Sequence, residues 1–396
     1  MEINELPDIP MFAKTIFSDA LNKRASDVHI DPGPTRFRIR FRVDGSLHDY
    51  ATIPMSYFEQ LRTHFKILAE LDTTSVYTPQ DGHFSLNFVQ QDDQTNVSTP
   101  VVVDLRVSIF PTIYGDASVF RVANSISHVL NLDGLGMNHA ILTKVRKILK
   151  KNTGMLLVTG PAGSGKTSAL YSVLNEVMDI DKNAITLEDP VEFRFEKIRQ
   201  VQVSPEKGLT YAMGMKSILR QDPDIIMIGE IRDAETAEHA IRAALVGRLV
   251  FSTIHANSSI GTVARLIDMK IERSLIAYAL NGVVATRLVK KNCEACKEEY
   301  IPSKEYLSYF PQDLSSSHFF RGKGCDICGG LGFLGRIGIF EVIEFDTQFR
   351  SMIVEGASMS ELQKYVDTNG TKMLADDALE KVLQGIISIE NAVTVI

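Results

Sequence analysis

Nine consecutive residues, Gly160, Pro161, Ala162, Gly163, Ser164, Gly165, Lys166, Thr167 and Ser168, carry the types and spacing of a phosphate cradle. Glycines at 160, 163 and 165 let backbone N–H groups turn inward around an anion. The Lys166 ammonium then reaches the β and γ oxygens of ATP, and the Thr167 hydroxyl is a ligand for Mg²⁺. Acidic groups follow downstream. Glu188 opens a segment that runs through Asp189 and Pro190 to Glu192, and Glu230 comes one glycine after the apolar run Ile225 to Ile228. Carboxylates at strand ends beside a nucleotide order Mg²⁺ or a water, although 188–192 taken alone also reads as an ordinary loop start. Glu230 is placed to hold Mg²⁺ directly or through water. His255 and Asn257 follow a further apolar run, Leu249 to Thr253, and His255 falls where a γ-phosphate sensor would stand. Polar groups delivered by successive strand ends at one edge of a parallel sheet converge on a ligand crevice.

The four cysteines make two Cys-x-x-Cys pairs, Cys293 with Cys296 and Cys325 with Cys328. In a reducing compartment that spacing points to metal rather than to disulfides, and two tight pairs joined by a loop build a closed, structural four-thiolate Zn²⁺ site. The loop between the pairs carries Tyr300, Tyr306, Tyr309, Phe310, Phe319 and Phe320. Those rings either pack a small subdomain or offer a docking face.

Elements that could position these groups are visible in the periodicity. A short apolar run from Gly154 leads into the glycine loop, and Leu170, Val173, Leu174 and Val177 then repeat at helical spacing. Asp233 is placed to cap a helix carrying Ala237, Ala240, Ile241 and Ala244. Upstream, Met11, Phe12, Ile16, Phe17 and Leu21 predict a helix within residues 1–25. Phe37, Ile39, Phe41 and Val43 alternate with Arg36, Arg38, Arg40 and Arg42, so a strand turns one face to a core and four arginines outward. That arginine face is either solvated or in contact with a phosphate or with an acidic face of a neighbouring domain or subunit. A second helix is expected over about 55–71, a turn at 79–82, a polar hairpin tip between 87 and 100, and strands at 104–109 and 119–122. The first domain is thus α+β and ends near residue 124, with a linker over 125–136.

The bulk numbers narrow the function classes. A chain of 396 residues is expected to hold two or three domains. A net charge of −7 argues against a strongly nucleic-acid-binding surface. No apolar run approaches the roughly 20 residues that span a bilayer. The start of the chain lacks a signal peptide's basic and apolar regions, so a cytosolic protein that meets the membrane through a partner is expected.

Taken in order, these motifs resemble the secretion-type ATPases of type II secretion and type IV pilus assembly, P-loop motors of the additional-strand, conserved-glutamate class. The resemblance covers nearly the whole chain. It includes residues 25–31, 40–45 and 104–106, the phosphate loop, an acidic box at 185–192, residues 219–233, a histidine box at 252–257 and the tetracysteine pairs. It implies an α/β architecture: an N-terminal α+β domain over 1–124, a RecA-like ATPase core over 137–290, a tetracysteine zinc subdomain over 291–340 and a C-terminal helical region over 341–396. It further implies a homo-hexameric ring at the inner face of the cell membrane, whose ATP turnover moves a polytopic platform protein to build pilin filaments.

By the same resemblance, residues 160–168 bind the phosphates, and Lys166 and Thr167 match the phosphate and Mg²⁺ ligands. Glu230 matches the Walker B acid, Glu188 the general base with Glu192 as second choice, and His255 the sensor. Arg40, Arg106 and Arg121 match arginines that neutralise γ-phosphate charge across a domain interface, most firmly Arg106. Two features depart from the family pattern. Arg248 stands where Gly-His is usual, and the chain starts close to the second N-terminal domain of longer members. That shortness favours the compact competence-type members, and the tetracysteine element argues against the retraction ATPases.

Overall fold

The computed structural model describes residues 8–75, 77–91, 98–123, 131–179 and 181–396, with side chains at 89–91, 98–101 and 123 outside that description. The chain divides into two compact units, residues 1–128 and 129–396.

In the first unit, α1 (Ile9–Asn22) precedes β1 (Ala25–Asp31), β2 (Arg36–Val43) and β3 (Ser46–Pro54); α2 (Phe58–Leu68) then leads to β4 (Gln80–Gln91), β5 (Ser98–Thr112) and β6 (Gly115–Ala123). The strands form one antiparallel sheet in the order β3-β2-β1-β6-β5-β4. The Asp8 carboxylate accepts from the Met11 N–H at 3.0 Å and starts α1, whose Phe17 packs its ring 5.7 Å from Phe65 of α2 and 5.2 Å from Phe120 of β6. Each such buried ring contributes about 1.5–3 kcal/mol. On β2, Phe37, Ile39 and Phe41 are buried on this side, as their alternation predicts.

One expectation fails here. The turn at 79–82 is strand, because Gln80, Asp81 and Gly82 pair with Ile109, Ser108 and Val107 of β5. Gly82 suits this place because it passes so close to α2 that a Cβ would lie 2.9 Å from the Ala69 carbonyl oxygen. Residues 92–97 of the expected hairpin tip and 124–130, which include the first half of the expected linker, lie outside the described residues.

The second unit is built on a seven-stranded sheet, in the order β15-β12-β7-β11-β10-β8-β9. In chain order come α3 (His139–Leu149), β7 (Gly154–Thr159), α4 (Lys166–Val177), β8 (Ala184–Glu188), β9 (Arg199–Gln202) and α5 (Tyr211–Ile218). They are followed by β10 (Ile225–Ile231), α6 (Ala234–Leu245), β11 (Leu249–Ile254), α7 (Ser259–Asp268), α8 (Arg273–Ala279) and β12 (Leu280–Asn292). All of these strands run parallel, and β15 (Phe333–Glu344) adds to the edge antiparallel to β12. Leu156 and Val158 of β7 face one core with α3 and α4, and Met155 and Leu157 face the other with α5 to α8. Burial on both faces is why these strands read as unbroken apolar runs. The expected cap is present, with the Asp233 carboxylate accepting from the Thr236 N–H at 2.8 Å.

Between β12 and β15 the chain leaves the sheet for a small insertion with a two-stranded sheet, β13 (Lys297–Tyr300) and β14 (Phe319–Gly322), and one short helix, α9 (Lys304–Leu307). Its Phe310 and Phe319 are buried against α12 (Leu374–Leu383) and α13 (Ile389–Val393), so those two rings pack the subdomain, while Tyr309 stays exposed. Helices α10 (Thr347–Val354) and α11 (Met359–Thr368) lie on the α5 to α8 side. Sequence periodicity places no strand at 333–344; β15 returns the chain to the main sheet after the insertion.

Candidate nucleotide-binding site

The phosphate loop joins β7 to α4, and its glycines are there for space. A Cβ on Gly160 would lie 2.5 Å from both the Ser164 Oγ and the Thr286 carbonyl oxygen, and Gly165 takes φ 90° as the residue that starts α4. Lys166 folds over the loop, its Nζ donating to the Gly160 and Pro161 carbonyls at 2.8 Å each. Burial lowers the Lys166 pKa, against an opposing pull from Glu230. The Ser164 hydroxyl is buried without a hydrogen-bond partner among the described residues. A loop with inward space, an ammonium on a retractable stem and an unpaired hydroxyl fits a nucleotide phosphate chain.

Beyond the loop, the C-terminal ends of β8, β10 and β11 converge. A cavity of about 210 Å³ is lined by Lys166, Thr167, Glu188, Asp189, Glu192, Glu230 and His255, together with Tyr171 and Tyr211. The strand ends are tied to one another: the Thr253 hydroxyl donates to the Gly229 carbonyl at 2.8 Å and the Thr159 hydroxyl to the Ile254 carbonyl at 3.0 Å. The expected phosphate, metal and water groups are therefore brought together. Ser168 is exposed on α4 and lines neither this cavity nor the next. Thr167 and Glu230 offer the hard oxygen donors that suit Mg²⁺.

The carboxylates differ in their surroundings. Glu188 is buried and accepts from three donors: the Tyr171 hydroxyl on Oε2, and the Thr186 hydroxyl and Gln200 side-chain amide on Oε1. Glu230 is ion-paired to Arg232 through Oε1, and its Oε2 lies 3.6 Å from His255 Nε2. That contact with Glu230 raises the Arg232 pKa. Glu192 is exposed at the rim. Burial, reinforced by Glu230 and Asp189, pushes the Tyr211 phenol up. Tyr171, Gln200 and Tyr211 carry no signature in the sequence, whereas Thr186 and Arg232 fall inside the acidic box and the 219–233 segment without a role assigned to them. Tyr171 stands outside the apolar repeat read from the sequence of α4, and only its place five residues after Lys166 hints at the site.

A second cavity, about 580 Å³, is lined by residues 161–164 of the loop with Asn257, Arg287, Leu288, Leu374 and Val395. The Arg287 Nη2 donates to the Asn257 carbonyl at 2.5 Å, and burial lowers its pKa. Arg248 lines neither cavity; it pairs with Asp222 at 3.5 Å.

The arginines lie in the first unit, on the sheet face opposite the core. Strand register sets Arg106 beside Arg121, Arg121 beside Asp27 and Asp27 beside Arg42. The Asp27 carboxylate lies 3.4 Å from Arg121 and 3.7 Å from Arg42, and Asp31 meets Arg40 at 2.8 Å. The carboxylates beside these arginines stand on adjacent strands of the same sheet, a partner that neither reading of the arginine-faced strand names. Arg106 is half-buried, and Arg121 is 69% exposed.

The four cysteines meet where the insertion leaves and rejoins the sheet. Their Sγ atoms lie within 4.8 Å of one another, with separations of 3.9 Å for Cys293–Cys325 and Cys296–Cys328 and 3.7 Å for Cys325–Cys328. Tetrahedral thiolates about 2.3 Å from a Zn²⁺ stand about 3.8 Å apart, so the donor set fits that ion. Backbone N–H groups of Gly324, Cys325 and Gly332 donate to the sulfurs at 3.2–3.3 Å, as thiolates require.

Comparison with known proteins agrees with this architecture. The family described as type II/IV secretion system protein has a model that matches residues 3–394. The chain is 38% identical over 382 residues to the type IV pilus assembly ATPase PilB of Thermus thermophilus, a match that covers 96% of this chain and 42% of that protein. It is 38% identical over 396 residues to the type II secretion system protein E of Pseudomonas aeruginosa, covering 100% of this chain and 77% of the relative. Thus the chain spans less than half the length of the first relative and about three quarters of the second. Among solved structures, the Legionella pneumophila ATPase DotB aligns with a TM-score of 0.73 at 20% identity, over 100% of this chain and 98% of that one. The pilus retraction motor PilT with bound ADP aligns at 0.61 and 22% identity, over 99% and 97%. At those identities the likeness is one of fold. By its near full-length match and its identity to these relatives, the chain belongs to the type II/IV secretion system protein family.

Proposed function

We propose that the chain is a motor ATPase that drives assembly of a type IV pilus, a competence or secretion pseudopilus, or a type II secretion filament. The observation that carries this reading is the single cavity that gathers Lys166, Thr167, Glu188, Glu230 and His255 at converging strand ends. In it the loop N–H groups and Lys166 bind the β- and γ-phosphates, and the nucleoside end of ATP extends into the second cavity beside Arg287 and Leu288. Mg²⁺, held by Thr167 and Glu230, supplies charge neutralisation on the phosphates. Glu188 orients the attacking water, with Glu192 as the alternative, and His255 reports the γ-phosphate to Glu230. Arg106, with Arg40 and Arg121, serves a nucleotide held by the chain's own or a neighbouring core.

The working assembly is a homo-hexamer at the cytoplasmic face of the inner membrane, acting on a polytopic platform protein. No helix among the described residues is long and apolar enough to cross a membrane, which fits a link through a partner. The names of the relatives, ATPases of pilus assembly and secretion, support the filament role. Lys166→Ala should fold and release no phosphate from ATP, and a variant that turns over at the wild-type rate removes the assignment. The tetracysteine site holds structural Zn²⁺. Elemental analysis should find about one zinc per chain, lost in Cys325→Ser, and a zinc-free native protein would refute the site.

A further inference from the structure

Tyr171 is buried on α4, five residues after Lys166, and it reaches out of its own helix to the acidic segment. Its hydroxyl donates to Glu188 Oε2, and the backbone N–H of Glu192 donates back to that hydroxyl at 3.3 Å. The ring has no freedom to turn away. It stacks on Phe195 at 5.5 Å and meets the edge of Phe193 at 5.3 Å. One phenol therefore ties the helix that begins at Lys166 to both ends of the segment from Glu188 to Glu192. Burial, together with Glu188, pushes the phenol pKa up, so the group stays protonated and donating.

The remaining capacity of Glu188 follows by counting. An ionised carboxylate has about four acceptor positions. Thr186 and Gln200 occupy both on Oε1, and Tyr171 takes one on Oε2. The one left is on the oxygen that Tyr171 holds, so Tyr171 fixes where it points. Glu188 and Tyr171 both line the cavity that holds Lys166 and Glu230.

We propose that Tyr171 is a positioning residue, which aims the open acceptor position of Glu188 at the attacking water and couples that aim to the phosphate loop through α4. This rests on the ATPase reading of the cavity. Any movement of Lys166 on nucleotide binding is carried along one turn and a half of helix to Tyr171 and thence to Glu188. The hydroxyl makes no claim on nucleotide affinity, because it is spent on Glu188.

Tyr171→Phe in the full chain removes one oxygen and keeps the ring between Phe193 and Phe195. It should lower kcat for ATP about tenfold or more while KM moves by less than about twofold. The double variant Tyr171→Phe with Glu188→Gln should be no slower than Glu188→Gln alone, since the hydroxyl acts only through that carboxylate. Ser172→Ala, at the next position of α4, has no hydrogen bond to Glu188 and lines neither cavity, so it provides the control for a general loosening of the helix and should cost less than about threefold. The proposal is overturned if Tyr171→Phe keeps its kcat, if only KM changes, if the two losses multiply, or if Ser172→Ala costs as much as Tyr171→Phe. Failure of the ATPase reading looks different: wild type and Lys166→Ala would release phosphate equally, and the inference would fall with it.

Discussion

Asp27 and Glu230 are both carboxylates with an arginine beside them, and the sheets that carry them use them in opposite ways. Asp27 sits within an antiparallel sheet, where a residue on the next strand stands directly opposite on the same face. Arg42 and Arg121 take those places, while Arg40 reaches Asp31 diagonally, two residues along β1 from its opposite residue His29. Asp27 and Asp31 are thus both answered by arginines within the sheet. Glu230 sits at the C-terminal end of a parallel strand, where neighbouring strand ends deliver their own polar groups to one crevice. The result is Glu188, Asp189, Glu192 and Glu230 around a cavity whose basic lining is Lys166 and His255. An acidic crevice that its own side chains do not balance favours a cation. One sheet thus spends its carboxylates on holding strands together, and the other leaves them for a ligand.

The sharpest way to break this contrast is Glu230→Gln. If Glu230 serves the ligand, turnover falls at least about 100-fold, the scale of losing one electrostatic contact to a reacting phosphate. Stability should stay within about 1 kcal/mol of wild type, because the lost pair with Arg232 is offset by relief among four crowded carboxylates. Steady-state phosphate release and denaturant unfolding read the two quantities. A variant that unfolds more readily and still turns over would place Glu230 in the structural class of Asp27.

The sequence carried the two sheets unequally. β2 was legible because one face meets water and the alternation of Phe37, Ile39 and Phe41 with arginines survives. β7, β10 and β11 were legible as apolar runs ending in polar groups, since both of their faces are covered. β4 was hidden behind Asp81 and Gly82, whose turn chemistry lost to pairing along β5. β15 was hidden because its first half is only partly buried and broken by glycines, so it shows no clean period before Ile339. The partners of the arginines were in plain view: Asp27, His29 and Asp31 alternate on β1 in register with Arg42, Arg40 and Arg38. Tyr171 was not, because its partner lies 17 residues away and only tertiary packing brings the two together.

A smaller effect tests the other side of the contrast. Asp27 is nearly buried, accepts from the Ser26 hydroxyl at 2.8 Å and stands between Arg42 and Arg121. Asp27→Asn leaves those guanidiniums facing each other across β1 and should destabilise the first unit by about 2 kcal/mol, read as lost hydrogen-exchange protection along β1 and β6. Arg38→Ala should do far less. Its pair with Asp49 is 3.9 Å long, with the two side chains 50% and 70% exposed, so solvent already screens it. The expected cost is about 0.5 kcal/mol or below, at the resolution limit of the same measurement. Were Arg38→Ala to equal Asp27→Asn, the stabilising quantity would be the arginine row as a whole rather than the carboxylate buried within it. The first sheet would then hold an unpaired positive surface, and the contrast with the acidic crevice of the second would be one of sign rather than of use.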